Sequence, residues 1–302
     1  MSFSRTNSGI SNLPMFYGAE IIVYTEGGNK SFSLQEVDEG SFNTKSVDIK
    51  FWNGLLKSNN YSKKVEFRAL GSKAASKNIC EKIMAGEIQN TVVAKDRDLD
   101  FDELTQFDSP NILFTKGYSW ENDVFTQHST KEQITSMAIE QELPEELVSQ
   151  IEQSYKKFEH IGVRLLRLEM IFRSNNKKFI TGVNGERFFD PKKSPNINKT
   201  ALMAFINEKK NEIMRPALLV QDISTLCPVL NNYGKLLAGL SLNIINHICK
   251  KHLGYKSIPK QLIEVTMIER FVNQQGIAPD AYYSNLISKL EAASANKAIN
   301  QD

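Results

Sequence analysis

In the first third of the chain, short apolar runs alternate with segments whose apolar residues recur every three or four positions. AEIIVYT, Ala19 to Thr25, is rich in β-branched and aromatic residues and apolar on both faces, the pattern of a strand in the middle of a parallel sheet. It ends at Glu26. A polar stretch, roughly Asn29 to Lys45, leads to VDIKFWNGLL, where Val47, Phe51 and Leu55, flanked by Trp52 and Leu56, mark one face of a short amphipathic helix. VEFRAL, Val65 to Leu70, predicts a second strand. Ser72 then caps a helix through KAASKNICEKIMAG, whose Ala75, Ile79, Ile83 stripe stops at Gly86. TVVAK predicts a third strand and delivers the chain to Asp96-Arg97-Asp98-Leu99-Asp100, and NILFTK, Asn111 to Lys116, predicts a fourth. Strands alternating with helices imply a mainly parallel α/β sheet with right-handed crossovers, whose functional residues gather at the strands' C-terminal edge.

Beyond about Phe125 the periodicity becomes helical. KEQITSMAIEQELPEELVSQIEQSYKKF, IGVRLLRLEMIF, TALMAFINEKKNEIM, KLLAGLSLNIINHICKKH and PKQLIEVTMIERF all read as helices, without a repeat of fixed period. Between them KKFITGVNGERFF carries Asn184-Gly185 between two short runs, which predicts a small β-hairpin.

With 302 residues, 41% of them hydrophobic and 24% charged, the chain can bury one large core or two modest ones. No run approaches a membrane span, and MSFSRTNSGISN lacks the layout of a secretory signal, so the expected location is the cytoplasm, with no membrane partner. Cys80, Cys227 and Cys249 are scattered, without the spacing of a zinc site or a disulfide framework, and read as small hydrophobes. A net charge of +2 means that any nucleic-acid surface must come from local clustering of Lys and Arg.

EGGNKS, from Glu26 to Ser31, has glycines beside Lys30 and Ser31 but not the spacing of a phosphate-binding P-loop. A metal reading suits the carboxylates better. Chemistry at a phosphodiester needs charge neutralised on a non-bridging oxygen and a water or hydroxyl activated, and Mg²⁺ (or Mn²⁺) held by a few carboxylates supplies both. Asp96 and Asp98 at one strand end can share an ion. Glu26, on a neighbouring strand, can be a further ligand or a general base, and Gly27 lets the backbone turn without obstructing a phosphate. Taken singly, Glu-Gly-Gly also fits a plain turn and DRDLDFDE a solvated loop.

The order strand-Glu-Gly, helix, strand, helix, strand-Asp-x-Asp resembles the Toprim domain of topoisomerases, bacterial primases and the overcoming-lysogenisation-defect (OLD) nucleases, over Phe16 to Phe125. ILFTKGYSWENDVF is similar to a signature of Toprim effector nucleases encoded beside an ABC-type ATPase in PARIS-type anti-phage loci. The resemblance implies a Rossmann-like Toprim nuclease domain over 16–125. Residues 126–302 would then form a mainly helical region for substrate recognition, partner docking or dimerisation. It implies Glu26, Asp96 and Asp98 as catalytic metal-site residues, with Asp100 and Glu121 as neighbours. It further implies host tRNA as substrate and an ABC-type ATPase sensor that holds the effector silent; an effector that must be held silent can in turn be expected to assemble into its active form, such as a homodimer, only on release. The alternatives are an OLD-like DNA nuclease and a non-catalytic adaptor that docks the ATPase. Relative to such proteins, residues from about Gly28 to Lys45 look inserted. Asp48 and Lys50 therefore stand either as site members or as a charge at a helix N-terminus and a solvated helix face.

Basic residues cluster twice in the helical half. Arg173, Lys177, Lys178, Arg187, Lys192 and Lys193, interleaved with Phe179, Phe188 and Phe189, suit phosphates and unpaired bases of RNA, or else a solvated face over a phenylalanine core. Lys250, Lys251, Lys256 and Lys260 form the other group. His128, His160, His247 and His252 make no cluster.

Overall fold

A computed structural model describes residues 6–139, 142–181, 185–213 and 225–299. Two short helices, α1 (Asn7–Ser11) and α2 (Leu13–Phe16), precede β1 (Ile21–Thr25). Then α3 (Leu34–Asp38) and α4 (Val47–Ser58) lead to β2 (Val65–Ala69), α5 (Lys73–Met84) to β3 (Thr91–Lys95), and α6 (Phe101–Gln106) to β4 (Ile112–Phe114). All pairings are parallel, in the order β2-β1-β3-β4. The two central strands are buried along their whole length, whereas edge strand β2 is buried only at its end. That is why β1 and β3 read as unbroken apolar runs.

Side chains alternate across the sheet, so Ile22 and Tyr24 face one way and Ile21 and Val23 the other. Ile22, Tyr24, Val93 and Ile112 pack with Ala75, Ile79, Cys80 and Ile83 of α5. Ser46 and Ser72 cap α4 and α5, each accepting from the backbone N–H three residues on. One buried cation stands at the edge: the Arg68 guanidinium of β2 lies 4.2 Å from the Tyr17 ring centroid and 3.9 Å from that of Phe42.

The stretch that reads as an insertion is ordered. Ser33 and Glu36 form a capping box at the start of α3, and Asn43 makes an antiparallel bridge to Ala69, covering part of the β2 edge.

Next come α7 (Trp120–Val124), α8 (Gln127–Met137), α9 (Glu145–Ser174), a 3₁₀ turn at Glu186–Phe188, α10 (Lys199–Lys210), α11 (Gly234–His252), α12 (Lys260–Ile277) and α13 (Ala281–Ile299). The expected helices thus form, but Pro144 begins a single 30-residue α9 where the apolar pattern suggests two helices. The expected hairpin needs correction. Its Asn184 lies outside the described residues, and the described flanks contain a 3₁₀ turn and no strand. Phe179 and Phe188 instead pack on Phe205, and Phe179 also on Phe172, a burial that helices supply and an isolated hairpin could not.

The chain divides into two compact units at a different place from the expected boundary at 125/126. One unit holds everything up to Lys116 together with everything from Ile268 onward, and the other holds Gly117–Met267. In the first unit the returning segment stacks Phe271 on Phe51 (5.5 Å) and sets Tyr283 edge-on to Phe51 and Trp52. The apolar face of α4 is thereby closed by the C-terminal helices. In the second unit α11 packs on α7, α8 and α9, and a buried Thr130 hydroxyl joins those of Tyr155 and Ser241. No helix among the described residues is long and apolar enough to cross a membrane.

Candidate active site

Parallel strands all end at one edge, and the chain leaves β1 at Glu26 and β3 at Asp96. Glu26 points to the α5 side, the face it shares with Tyr24 by alternation. There the Ser76 hydroxyl donates to its Oε1 at 2.8 Å, and Lys95 Nζ lies 3.4 Å from the same oxygen. Lys95 is the last residue of β3. Its side chain is fully buried, and its ammonium also meets Glu103 Oε2 at 2.7 Å. Burial pushes the Glu26 carboxyl above the ordinary carboxylate range, against the pull of Lys95 and Ser76. For Lys95 burial acts downward, but Glu26 and Glu103 outweigh it and leave the ammonium raised, hence charged. Beneath them burial drives the Cys80 thiol up to about 12, which rules it out as a thiolate nucleophile.

The loop after β3 is pinned from both sides. The Arg97 backbone N–H donates to Thr115 Oγ1 at 3.0 Å, and its Nη1 donates to the Lys116 carbonyl at 3.2 Å, so the loop is tied to the end of β4. Asp98 takes a left-handed backbone, φ 50°, which a short polar residue tolerates. Asp100 caps α6, accepting from the Glu103 N–H. Lys73, in the first turn of α5, reaches across to Asp98 Oδ2 (2.9 Å), Asp100 Oδ2 (3.4 Å) and Glu103 Oε2 (4.0 Å). Burial acts to lower its pKa, yet Asp98 foremost among the neighbouring carboxylates raises it overall. Asp96 is half-buried at the strand end.

Gly27 and Asp48 meet as well. A Cβ at Gly27 would lie 1.8 Å from Asp48 Oδ2, so the glycine is what lets this buried carboxylate of α4 lie against the backbone beside Glu26. Lys50 turns elsewhere and pairs with Glu269 at 2.7 Å, on an exposed helix face. Glu121 belongs to the other unit. It is buried there and accepts from Ser119 Oγ, while Asn122 Nδ2 donates to the Val229 and Asn232 carbonyls. The GYSWEND stretch is thus a knot that fastens α7 to the chain entering α11, a role Glu121 shares.

The donors around β1 and β3 are carboxylate oxygens, the hard ligands that Mg²⁺ takes. Glu26, Asp98, Asp100 and Glu103 against Lys73 and Lys95 leave two negative charges, to which Asp48 and Asp96 nearby add, so the edge is short of positive charge. In donor type and charge the set fits. In arrangement, among the described residues no three carboxylate, imidazole or thiolate groups converge on one point, and each of these four meets an ammonium.

The basic candidates of the helical unit separate by environment. Arg173 pairs with Glu169 at 2.8 Å and donates to the Tyr118 hydroxyl, and Arg187 lies over the Phe205 ring. Lys177 donates to the Glu212 carbonyl. Lys178 and Lys192 are exposed, as is Lys193 beside Asp190. Phe179 and Phe188 are buried, so they offer no face to an unpaired base.

Lys73, Ser76, Lys95 and Glu103 join the site without being singled out by the sequence. Lys95 alone leaves a signal there, a charge ending an otherwise apolar strand. No family model matches the chain, and no curated protein matches it.

Proposed function

We propose that this chain is a Toprim-type, Mg²⁺-dependent nuclease that cleaves RNA. Host tRNA is its substrate on the resemblance, and its place is that of the toxic effector of an ATPase-gated, PARIS-like anti-phage system. The observation that carries the reading is the placement of Glu26 after β1 and of Asp98 and Asp100, both held by Lys73, after the adjacent β3, at the C-terminal edge where parallel α/β sheets carry their chemistry. Glu26, Asp96, Asp98 and Asp100 would hold the ion. When bound, Mg²⁺ neutralises a non-bridging phosphate oxygen and makes a water or hydroxyl easier to deprotonate.

The protein's own groups do the rest. Ser76 and Lys95 orient Glu26, and Lys95 anchors Glu103 on the other side. Gly27, lacking a side chain, makes room for the Asp48 carboxylate beside Glu26. Burial raises the Glu26 carboxyl, and a bound cation would add to the pull of Lys95 in holding it charged.

A second reading, a non-catalytic adaptor that docks an ABC-type ATPase, draws support from the ion pairing of Glu26, Asp98, Asp100 and Glu103 with lysines. An assay separates the readings: purified chain is incubated with tRNA or with duplex DNA, in Mg²⁺ or in chelator. Mg²⁺-dependent tRNA cleavage is expected. Cleavage of DNA alone would indicate the OLD-like chemistry, and no cleavage of either by the folded chain would favour the adaptor.

A further inference from the structure

Two lysines serve the carboxylate cluster, and they are not equivalent. Lys95 stands on a central strand with its side chain fully buried, between Glu26 and Glu103, and 5.7 and 6.0 Å from the Phe107 and Phe114 ring centroids. It has nowhere to go. Lys73 enters from the first turn of α5 with 43% of its side chain exposed, and its ammonium lies on Asp98 and Asp100 and within 4.0 Å of Glu103. A flexible four-carbon stem with that exposure can swing into solvent at the expense of ion pairs that are weak at a surface.

We infer that Lys73 is the resident counter-cation of the site, and that a divalent ion binds by displacing its ammonium from Asp98 and Asp100. This rests on the metal-dependent reading above and deepens it. Charge decides the direction of the exchange. With Lys73 in place the four carboxylates and two ammoniums carry two negative charges. With it swung out they carry three, which a divalent ion reduces to one. Lys73 thereby sets the affinity of the cluster for metal, since every ion must compete with a tethered cation. The freed ammonium stays at the mouth of the site, where a phosphodiester oxygen would replace the carboxylates as its partner.

The test is metal affinity, read without turnover. Calorimetric titration with Mn²⁺, and the rise of the melting temperature with Mg²⁺, are compared for the wild type, Lys73→Met and Lys73→Arg. Lys73→Met, which keeps the stem and loses the charge, is expected to bind Mn²⁺ about tenfold more tightly and to show the larger Mg²⁺-induced rise. Lys73→Arg, which keeps the charge, should stay within about threefold of the wild type. Wild-type or weaker affinity in a folded Lys73→Met protein, with the wild type binding metal, overturns this inference alone. Binding by neither protein overturns it together with the metal-dependent reading.

Discussion

Gly27 carries more than a turn. Because a Cβ there would sit 1.8 Å from Asp48 Oδ2, Gly27→Ala must push either the carboxylate of α4 or the backbone beside Glu26. It should cost about 1–3 kcal/mol in chemical denaturation, as overpacking does, and depress cleavage. Adding Asp48→Gly should return most of the stability, and a double variant no more stable than Gly27→Ala would show that Asp48 is not the obstacle. Glu121 makes a different residue-scale prediction. Burial raises its pKa above the ordinary 4.5, so between that value and its raised one the folded state holds a proton the unfolded state has lost. Stability from this group is full in acid and falls as pH climbs through that window. Glu121→Gln should flatten the fall in a pH series of melting temperatures, and an unchanged slope would contradict the account. At this scale Glu26, directly after an apolar strand, and Asp98 and Asp100, in an acidic run after another, are conspicuous in the sequence. Ser76 is not, because its partner Glu26 lies 50 residues away.

At the scale of elements, the four strands, α4 and α5 can be read from periodicity, since each has one dominant apolar pattern and each of the two helices a serine cap. Periodicity says that a face is buried, not what covers it. Phe271 ends a segment that reads as one of the helices beyond Phe125, yet it stacks on Phe51 in the sheet unit. The failed hairpin has the same cause, because Asn-Gly is a local signal and the flanking phenylalanines answer to a non-local aromatic cluster. The packing of α4 on α12 can be tested. A Cβ at Gly54 would lie 2.4 Å from Val272 Cγ2, so Gly54→Ala should destabilise by up to about 2 kcal/mol although alanine favours a helix by about 1. Combined with Val272→Ala the cost should fall well short of the sum of the single variants. Strict additivity would mean that the helices do not press together here.

For the whole molecule, a net charge of +2 gives no general attraction to nucleic acid, so RNA binding has to come from a local patch. Lys177, Lys178, Lys192 and Lys193 are exposed and stay the candidates for it after the buried phenylalanines are set aside. Replacing all four by glutamine should weaken tRNA binding and reduce the slope of log affinity against log salt by up to about 3, since each phosphate a lysine neutralises on a single strand adds about 0.7 to that slope. An unchanged slope would move attention to Lys250, Lys251, Lys256 and Lys260.

The proposed function rests on the carboxylates at the sheet edge performing metal-dependent phosphodiester chemistry. The most direct measurement is the cleavage of end-labelled tRNA by purified wild type and Glu26→Ala, each confirmed folded by its melting transition, in Mg²⁺ and in chelator. Cleavage by the wild type in Mg²⁺ alone, and none by Glu26→Ala under either condition, is the result predicted. Wild-type cleavage by a folded Glu26→Ala protein would contradict it.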